Sequence, residues 1–282
     1  MRRESFPRRH RRIRNRAARA SALSSAVRWW RRQSPSRQDR YATLGPLLSV
    51  LLFLAAIVVA ITYTHRAADE IQERIEALGV DTTALWIGTI HSFCLEWIIK
   101  PYGIYVPELA RGYTVLDQYD RERMLERLCA PYHGVTWRDC DYYFEGDEYR
   151  LGCADTWKHE AIHHVLAAYF RELADARRID FELILWYSQV LILNQPHIAA
   201  LLSQVFSYIL VDEYQDTKRI QYNLVGAILR AGRGSTKTFI VGDPNQAIYG
   251  SLGGYAISAA DFRALTEIPI REMALRLNYR SS

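Results

Sequence analysis

The chain has 282 residues, 49% of them hydrophobic and 24% charged, with a net charge of +5. That length buries one large core or two modest ones, and the composition is ordinary for a soluble globular protein. Its four cysteines, Cys94, Cys129, Cys140 and Cys153, make no Cys-x-x-Cys pair, which argues against a disulfide framework or zinc ribbon and for free thiols in a reducing compartment.

Residues 1–43 form an arginine-rich arm without lysine, opening "MRRESFPRRHRRIRNRAARA". Without it the remainder is acidic, so the positive charge describes the arm and not the body. Such an arm reads as a disordered tail, or as a contact for nucleic-acid phosphates or anionic lipid. The apolar segment 44–61 follows. The uncharged run "LGPLLSVLLFLAAIVVAIT", 44–62, has the length of a membrane span, with the arginines held on the cytoplasmic side. Its β-branched end, "AIVVAIT", fits equally a core strand of a parallel sheet, buried on both faces. A signal peptide is disfavoured, because the basic region is too long and no small-residue cleavage site follows it. The expected location is the cytoplasm, with membrane anchoring through 44–62 as the alternative.

From Thr64 onward strands alternate with helices. "HRAADEIQERIEAL" places Ala67, Ala68, Ile71, Ile75 and Leu78 on one helical side. "ALWIGTIHSFCLEWII" reads as a short strand running into a helix. The stretch 105–178 is helical and aromatic, with helices at "DRERMLERLC" and "HEAIHHVLAAYFRELADARR" and a loop at "WRDCDYYFEGDEYRLG". Then come a helix ("FELILWYSQVLIL"), a strand ("SYILVDE"), a helix ("IQYNLVGAILRAG") and a strand ("TKTFIVGDPNQ"). This order predicts an α/β fold with a parallel sheet flanked by helices, built from 62–104 and 179–282, with 105–178 as an inserted helical subdomain.

Ligands of open parallel sheets collect at the carboxyl ends of the strands. One strand here delivers Asp212 and Glu213. An Asp in that place can hold magnesium through its water shell, and the neighbouring Glu can deprotonate an attacking water. An acidic strand end that only caps the next helix is the plainer reading. The second strand ends in "GDPNQ", where Gln246 can report on a terminal phosphate by hydrogen bonding. Gly250, Gly253 and Gly254 then allow a turn or a close backbone approach.

Six segments in order, "TYTHRAADEIQERI", "GTIHSFC", "IDFELIL", "YILVDEYQDT", "VGDPNQAIYGSLGG" and "LRLNYRSS", resemble the first motor lobe of superfamily 1 DNA helicases of the UvrD/Rep/PcrA type. The resemblance implies a RecA-like, P-loop NTPase-type sheet, with ATP and magnesium as cofactors and single-stranded or duplex DNA as partner. It implies ATP-driven translocation and unwinding in repair or replication. By it, Asp212 holds magnesium, Glu213 is the catalytic base and Gln246 senses the γ-phosphate. Arg280 acts as the arginine finger and Tyr279 stacks on adenine. Thr62, Tyr63, Thr64, Thr89, His91 and Ser92 lie along single-stranded DNA, with Tyr249 offering a stacking face.

Departures from the family pattern set further expectations. His65-Arg66 stands where Asn-Lys is usual, and Ser251 stands where an aromatic normally stacks on a base. The Gly-x-x-x-x-Gly-Lys-Thr loop that cradles phosphates belongs upstream of Thr62, yet residues 1–61 hold no lysine and one glycine, Gly45. "GRGSTKT" (232–238) is a poor substitute, since it lacks a glycine before its lysine and leads into a strand. The family's second lobe is not matched either. An incomplete lobe is therefore expected, with little ATP turnover and no unwinding by the chain alone, and with another chain supplying the missing half. Two rivals stand beside it: a single-stranded DNA-binding remnant that hydrolyses nothing, and a zinc hydrolase built on "HEAIH" (His159, Glu160, His163) with Glu172 or Glu182 as third ligand.

Overall fold

The computed structural model describes residues 57–274. Its centre is a four-stranded parallel sheet in the order β2-β1-β7-β8: β1 is Ile57–Thr62, β2 Leu85–Thr89, β7 Phe206–Val211 and β8 Lys237–Ile240. The sequence of β1, IVVAIT, is β-branched and continuously apolar, as a strand flanked on both sides requires. Val59, Ala60, Ile61 and Thr62 are buried. These residues are thus strand, not part of a membrane helix. The expected span over 44–62 is corrected to that extent, because its last six residues belong to the sheet. Residues 44–56 lie outside the described residues. No helix among the described residues is long and apolar enough to cross a membrane.

Helix α1, His65–Ala77, leaves β1 and is capped by Thr64, whose hydroxyl accepts from the Ala67 amide at 3.2 Å. After β2 the chain turns directly into a helix, α2 Ile90–Phe93, which widens into a π-helix at Cys94–Ile99. Phe93 and Trp97 from this stretch meet Phe206 at ring distances of 5.6 and 5.0 Å, an aromatic core under the sheet.

The segment between the two parts of the sheet is fastened at its neck. Strand β3, Thr114–Val115, pairs in parallel with β6, Arg178–Ile179. Between them run α3 (Gln118–Cys129) and α4 (His159–Ala176), at the two places where helical spacing predicts them. The expected loop at "WRDCDYYFEGDEYRLG" is instead a 3-10 turn, Trp137–Cys140, followed by an antiparallel hairpin of β4 (Tyr142–Glu145) and β5 (Glu148–Leu151). Gly146, at φ +67°, makes its turn. Buried Asp180 then joins this segment to the next helix. It accepts from the hydroxyls of Tyr142 and Tyr169, each at 2.8 Å, and from the Leu183 amide at 3.0 Å, so it also caps α5, Phe181–Asn194. Helix α6 (Pro196–Val205) leads into β7. Helix α7 (Arg219–Gly232) joins β7 to β8, and α8 (Ala259–Thr266) packs on α7 where Gly226 meets Leu265.

Candidate functional site

From β1 the chain winds outward to β2 on one side, and from β7 it winds outward to β8 on the other. The strand order therefore reverses between β1 and β7, and the crevice at their carboxyl ends is where ligands of such sheets bind. The Asp212 amide donates to the Ile61 carbonyl at 3.0 Å, fixing the two tips side by side. A cleft of about 280 Å³ opens there, lined by Thr62, Tyr63, His91, Phe181, Asp212 and Lys218 among others.

At the tip of β7, Asp212 is partly buried and Glu213 exposed. Glu213 has φ +54° and ψ +48°, a left-handed conformation that a glutamate adopts at a cost. The turn is held by hydrogen bonds. The Glu213 amide donates to Asp212 Oδ1 at 3.0 Å and the Tyr214 amide to the Val241 carbonyl at 3.1 Å. Burial, and the neighbouring Glu213 charge, push the Asp212 carboxyl pKa up despite the amide bond it accepts. No basic side chain pairs with Asp212 among the described residues. A partly buried carboxylate with a second carboxylate beside it and no counter-charge suits a divalent cation, so the residues present fit magnesium.

A chain of hydrogen bonds runs from Glu213 to Gln246. Gln215 Nε2 donates to Glu213 Oε2 at 2.7 Å, and Gln215 Oε1 accepts from the Asp243 amide at 3.0 Å. Gln246 Nε2 donates to Asp243 Oδ2 at 3.0 Å, while Asp243 Oδ1 accepts from the Asn245 amide at 2.9 Å. That amide, with Gln246, holds the Asp243 carboxyl pKa below the usual range. Gly242 makes the link possible. A Cβ there would overlap the Gln215 side chain and lie 2.8 Å from the Tyr214 amide nitrogen.

Beyond Gln246 the chain brings Tyr249 onto Tyr63. Their ring centres are 4.9 Å apart and the planes 27° from parallel. Burial, then Tyr249, raise the Tyr63 hydroxyl pKa to about 12. Tyr63 and Thr64 are exposed. Thr62 and Thr89 are buried and turned to internal work. Thr62 Oγ1 donates to the Thr64 carbonyl at 2.9 Å, and Thr89 Oγ1 accepts from the Ser92 amide at 3.3 Å, beside the Ser92 hydroxyl at 3.2 Å. His91 stands edge-on to Phe181 at 5.4 Å, and its Nε2 is buried without a hydrogen-bond partner among the described residues. Tyr279, Arg280 and the side chain of Ser251 lie outside the described residues.

The model of the UvrD/REP helicase N-terminal domain family matches residues 51–256, most of the chain and nearly all of this crevice. The chain belongs to that family. It is 31% identical over 243 residues to DNA helicase II of Escherichia coli (strain K12), covering 80% of this chain and 32% of that protein. It is 28% identical over 240 residues to the ATP-dependent DNA helicase PcrA of Leuconostoc citreum, covering 80% and 31%. To the ATP-dependent DNA helicase UvrD1 of Mycobacterium bovis it is 29% identical over 255 residues, again 80% and 31%. The chain thus spans about a third of the length of these relatives.

Within this UvrD/REP domain, sequence reasoning missed several side chains at the crevice. Gln215 reads in "DEYQDT" as an ordinary polar residue, and only the return of β8 shows what it joins. Phe181, 39% exposed beside Tyr63 and His91, offers an aromatic face to the cleft. Its signal was a large apolar residue at a helix start, directly after a capping aspartate. Glu182 pairs with Lys218, tying α5 to the segment after β7. The zinc reading is not supported by the geometry. His159 Nε2 meets the Cys153 carbonyl at 2.9 Å, His163 Nδ1 meets the Tyr149 hydroxyl at 2.8 Å, Glu172 pairs with Arg127 and Glu182 with Lys218. Asp139, Cys153 and Asp155 do lie together, but Lys158 already bonds Asp139 at 2.8 Å and Asp155 at 3.1 Å. "GRGSTKT" runs from the end of α7 into β8, the wrong way round for a phosphate loop.

Proposed function

We propose that this chain is part of an ATP-driven, UvrD-type DNA motor, in which it grips single-stranded DNA and carries the hydrolytic carboxylates. The observation that supports this most directly is the joining of two chemistries on one loop. Gln246 closes the hydrogen-bonded chain that starts at Glu213, and three residues later Tyr249 stacks on Tyr63.

In this reading Glu213 takes the proton from the attacking water, and its left-handed backbone and the Gln215 bond set where its carboxylate points. Gln246 contacts the terminal phosphate, and the family resemblance gives Arg280 the arginine-finger role and Tyr279 the stack on adenine. Asp212 holds magnesium, which supplies charge neutralisation at the phosphates when bound. Tyr63 and Tyr249 take bases on their ring faces, a mode that tolerates any sequence. Thr64, His91 and Ser92 lie beside the strand with the exposed Arg66, while Thr62 and Thr89 set the turns that present them. Turnover by this chain alone is little or none, because residues 1–61 offer no lysine to the phosphates.

The test is fluorescence anisotropy of a labelled oligothymidylate with the purified chain. Binding that weakens steeply with salt, and weakens further in Tyr249→Ala, supports the reading. No binding at low salt rejects it.

A further inference from the structure

The β4–β5 hairpin reaches across to the loop that carries Tyr249. Tyr143, partly buried on β4, lays its ring against Gly253. A Cβ on Gly253 would fall 2.7 Å from Tyr143 Cδ2 and 2.8 Å from its Cγ, so the ring rests on bare backbone. Gly253 also has φ +88°, and glycine is required there twice over. The turn that holds it is closed on Tyr249 itself. The Tyr249 carbonyl accepts from the Leu252 amide at 3.0 Å and the Gly254 amide at 2.9 Å, while the Gly253 amide donates to Gly250 at 3.2 Å. Whatever fixes Gly253 therefore fixes the backbone of Tyr249.

Both sides of the contact are anchored. On one side the Tyr255 amide donates to the Thr217 carbonyl at 3.0 Å, and Gly254 bridges to Lys218. On the other, Phe144 stacks on Trp186 at 5.4 Å, Glu145 pairs with Arg219 at 3.6 Å, and Gln189 Nε2 donates to the Gly146 carbonyl at 3.4 Å. The Tyr143 ring is the wedge between the two.

We propose that Tyr143 is a positioning residue: its ring, packed on Gly253, holds Tyr249 where it can stack on Tyr63 and on a DNA base. The proposal rests on the DNA reading above. It gives the hairpin a task in that reading, because the segment 114–179 then acts on the DNA grip through the Tyr143 ring. Removing the ring leaves a void behind Gly253, the turn relaxes, and Tyr249 loses its fixed place while the phosphate contacts elsewhere stay intact.

The test compares two labelled oligomers of equal length, oligothymidylate and an abasic strand, binding to the full chain across a salt series. Tyr143→Ala is expected to lower affinity for oligothymidylate about fivefold to tenfold, part of what base stacking contributes. Affinity for the abasic strand and the salt slope should not change. Tyr143→Phe, which keeps the ring, should match wild type. Tyr143→Ala should add nothing in a Tyr249→Ala background, since it acts through Tyr249. Should Tyr143→Ala fail to fold, Tyr143→Leu keeps apolar bulk without the flat ring and should show the same base-dependent loss. Equal losses on both oligomers, or losses that add in the double variant, would overturn the proposal. So would an unchanged base preference in a wild-type chain that has one. A wild-type chain that does not separate the two oligomers would remove the DNA reading itself, and the proposal with it.

Discussion

Gln215 holds Glu213 with a hydrogen bond of 2.7 Å from its amide nitrogen, and with the oxygen of the same amide it receives the Asp243 N–H at 3.0 Å. One buried side chain thus ties the tip of β7 to the tip of β8, and the residue in the expected base position to the loop that ends in Gln246. Gln215→Ala should cost about 1–3 kcal/mol of stability, because it strands the Asp243 amide in a partly buried place. Gln215→Glu should cost more, since it replaces the donor to Glu213 with a second negative charge. Urea denaturation of the two variants beside wild type reads both.

Gly242→Ala tests the same link from the other side. The new methyl would sit 2.6 Å from Tyr214 Cδ1 and 2.8 Å from the Tyr214 amide nitrogen, and backbone cannot step aside as a flexible side chain can. A loss of about 1–3 kcal/mol is expected from overpacking. Gly250→Ala, in open space by the same measure, is the matched control and should be close to neutral.

Asp180 carries the junction between the inserted segment and helix α5. Asp180→Ala leaves two tyrosine hydroxyls and the Leu183 amide of α5 without their acceptor, so a loss of at least about 3 kcal/mol is expected. Tyr142→Phe removes one bond of the same set and should cost about 1 kcal/mol.

His91 makes stability depend on pH. Burial first, then the charges of Lys218 and His65, lower its pKa from 6.5 to about 4. Between those values the unfolded chain binds the proton and the folded chain does not, so stability falls as pH drops from about 6.5 towards 4. The shift corresponds to roughly 3 kcal/mol. Burial also raises the carboxyl pKa values of Glu182 and Asp212, which act in the opposite sense over their own range. The difference between wild type and His91→Gln isolates the histidine. Thermal midpoints of the pair should differ by an amount that changes below pH 6.5 and is constant above it.

Much of this fold is legible in sequence because it rests on local, repeated signals. FSYILV and KTFI are strands with candidate site residues after them, Asp212-Glu213 and the GDPNQ loop, and both are legible as strand ends in the sequence. Thr64, Thr89 and Asp180 each stand at a helix start, as residue preference leads one to expect. What stayed hidden is tertiary. The β4–β5 hairpin has no clean alternation, since Tyr142, Tyr143 and Phe144 are consecutive aromatics that each find a partner, two of them buried. Its Gly146-Asp147 turn was the available signal. Gln215 and Phe181 take their places only when β8 and α5 return to the crevice, and the helical spacing of "HEAIH" says nothing of the bonds that occupy its two histidines.

The most direct measurement is ATP turnover by the purified chain, with and without single-stranded DNA, beside a Glu213→Gln control and a DNA-binding titration of the same samples. The account predicts salt-sensitive DNA binding in both proteins and no turnover that distinguishes them. DNA-stimulated hydrolysis that disappears in Glu213→Gln would contradict it, and would mean that other groups of this chain hold the phosphates.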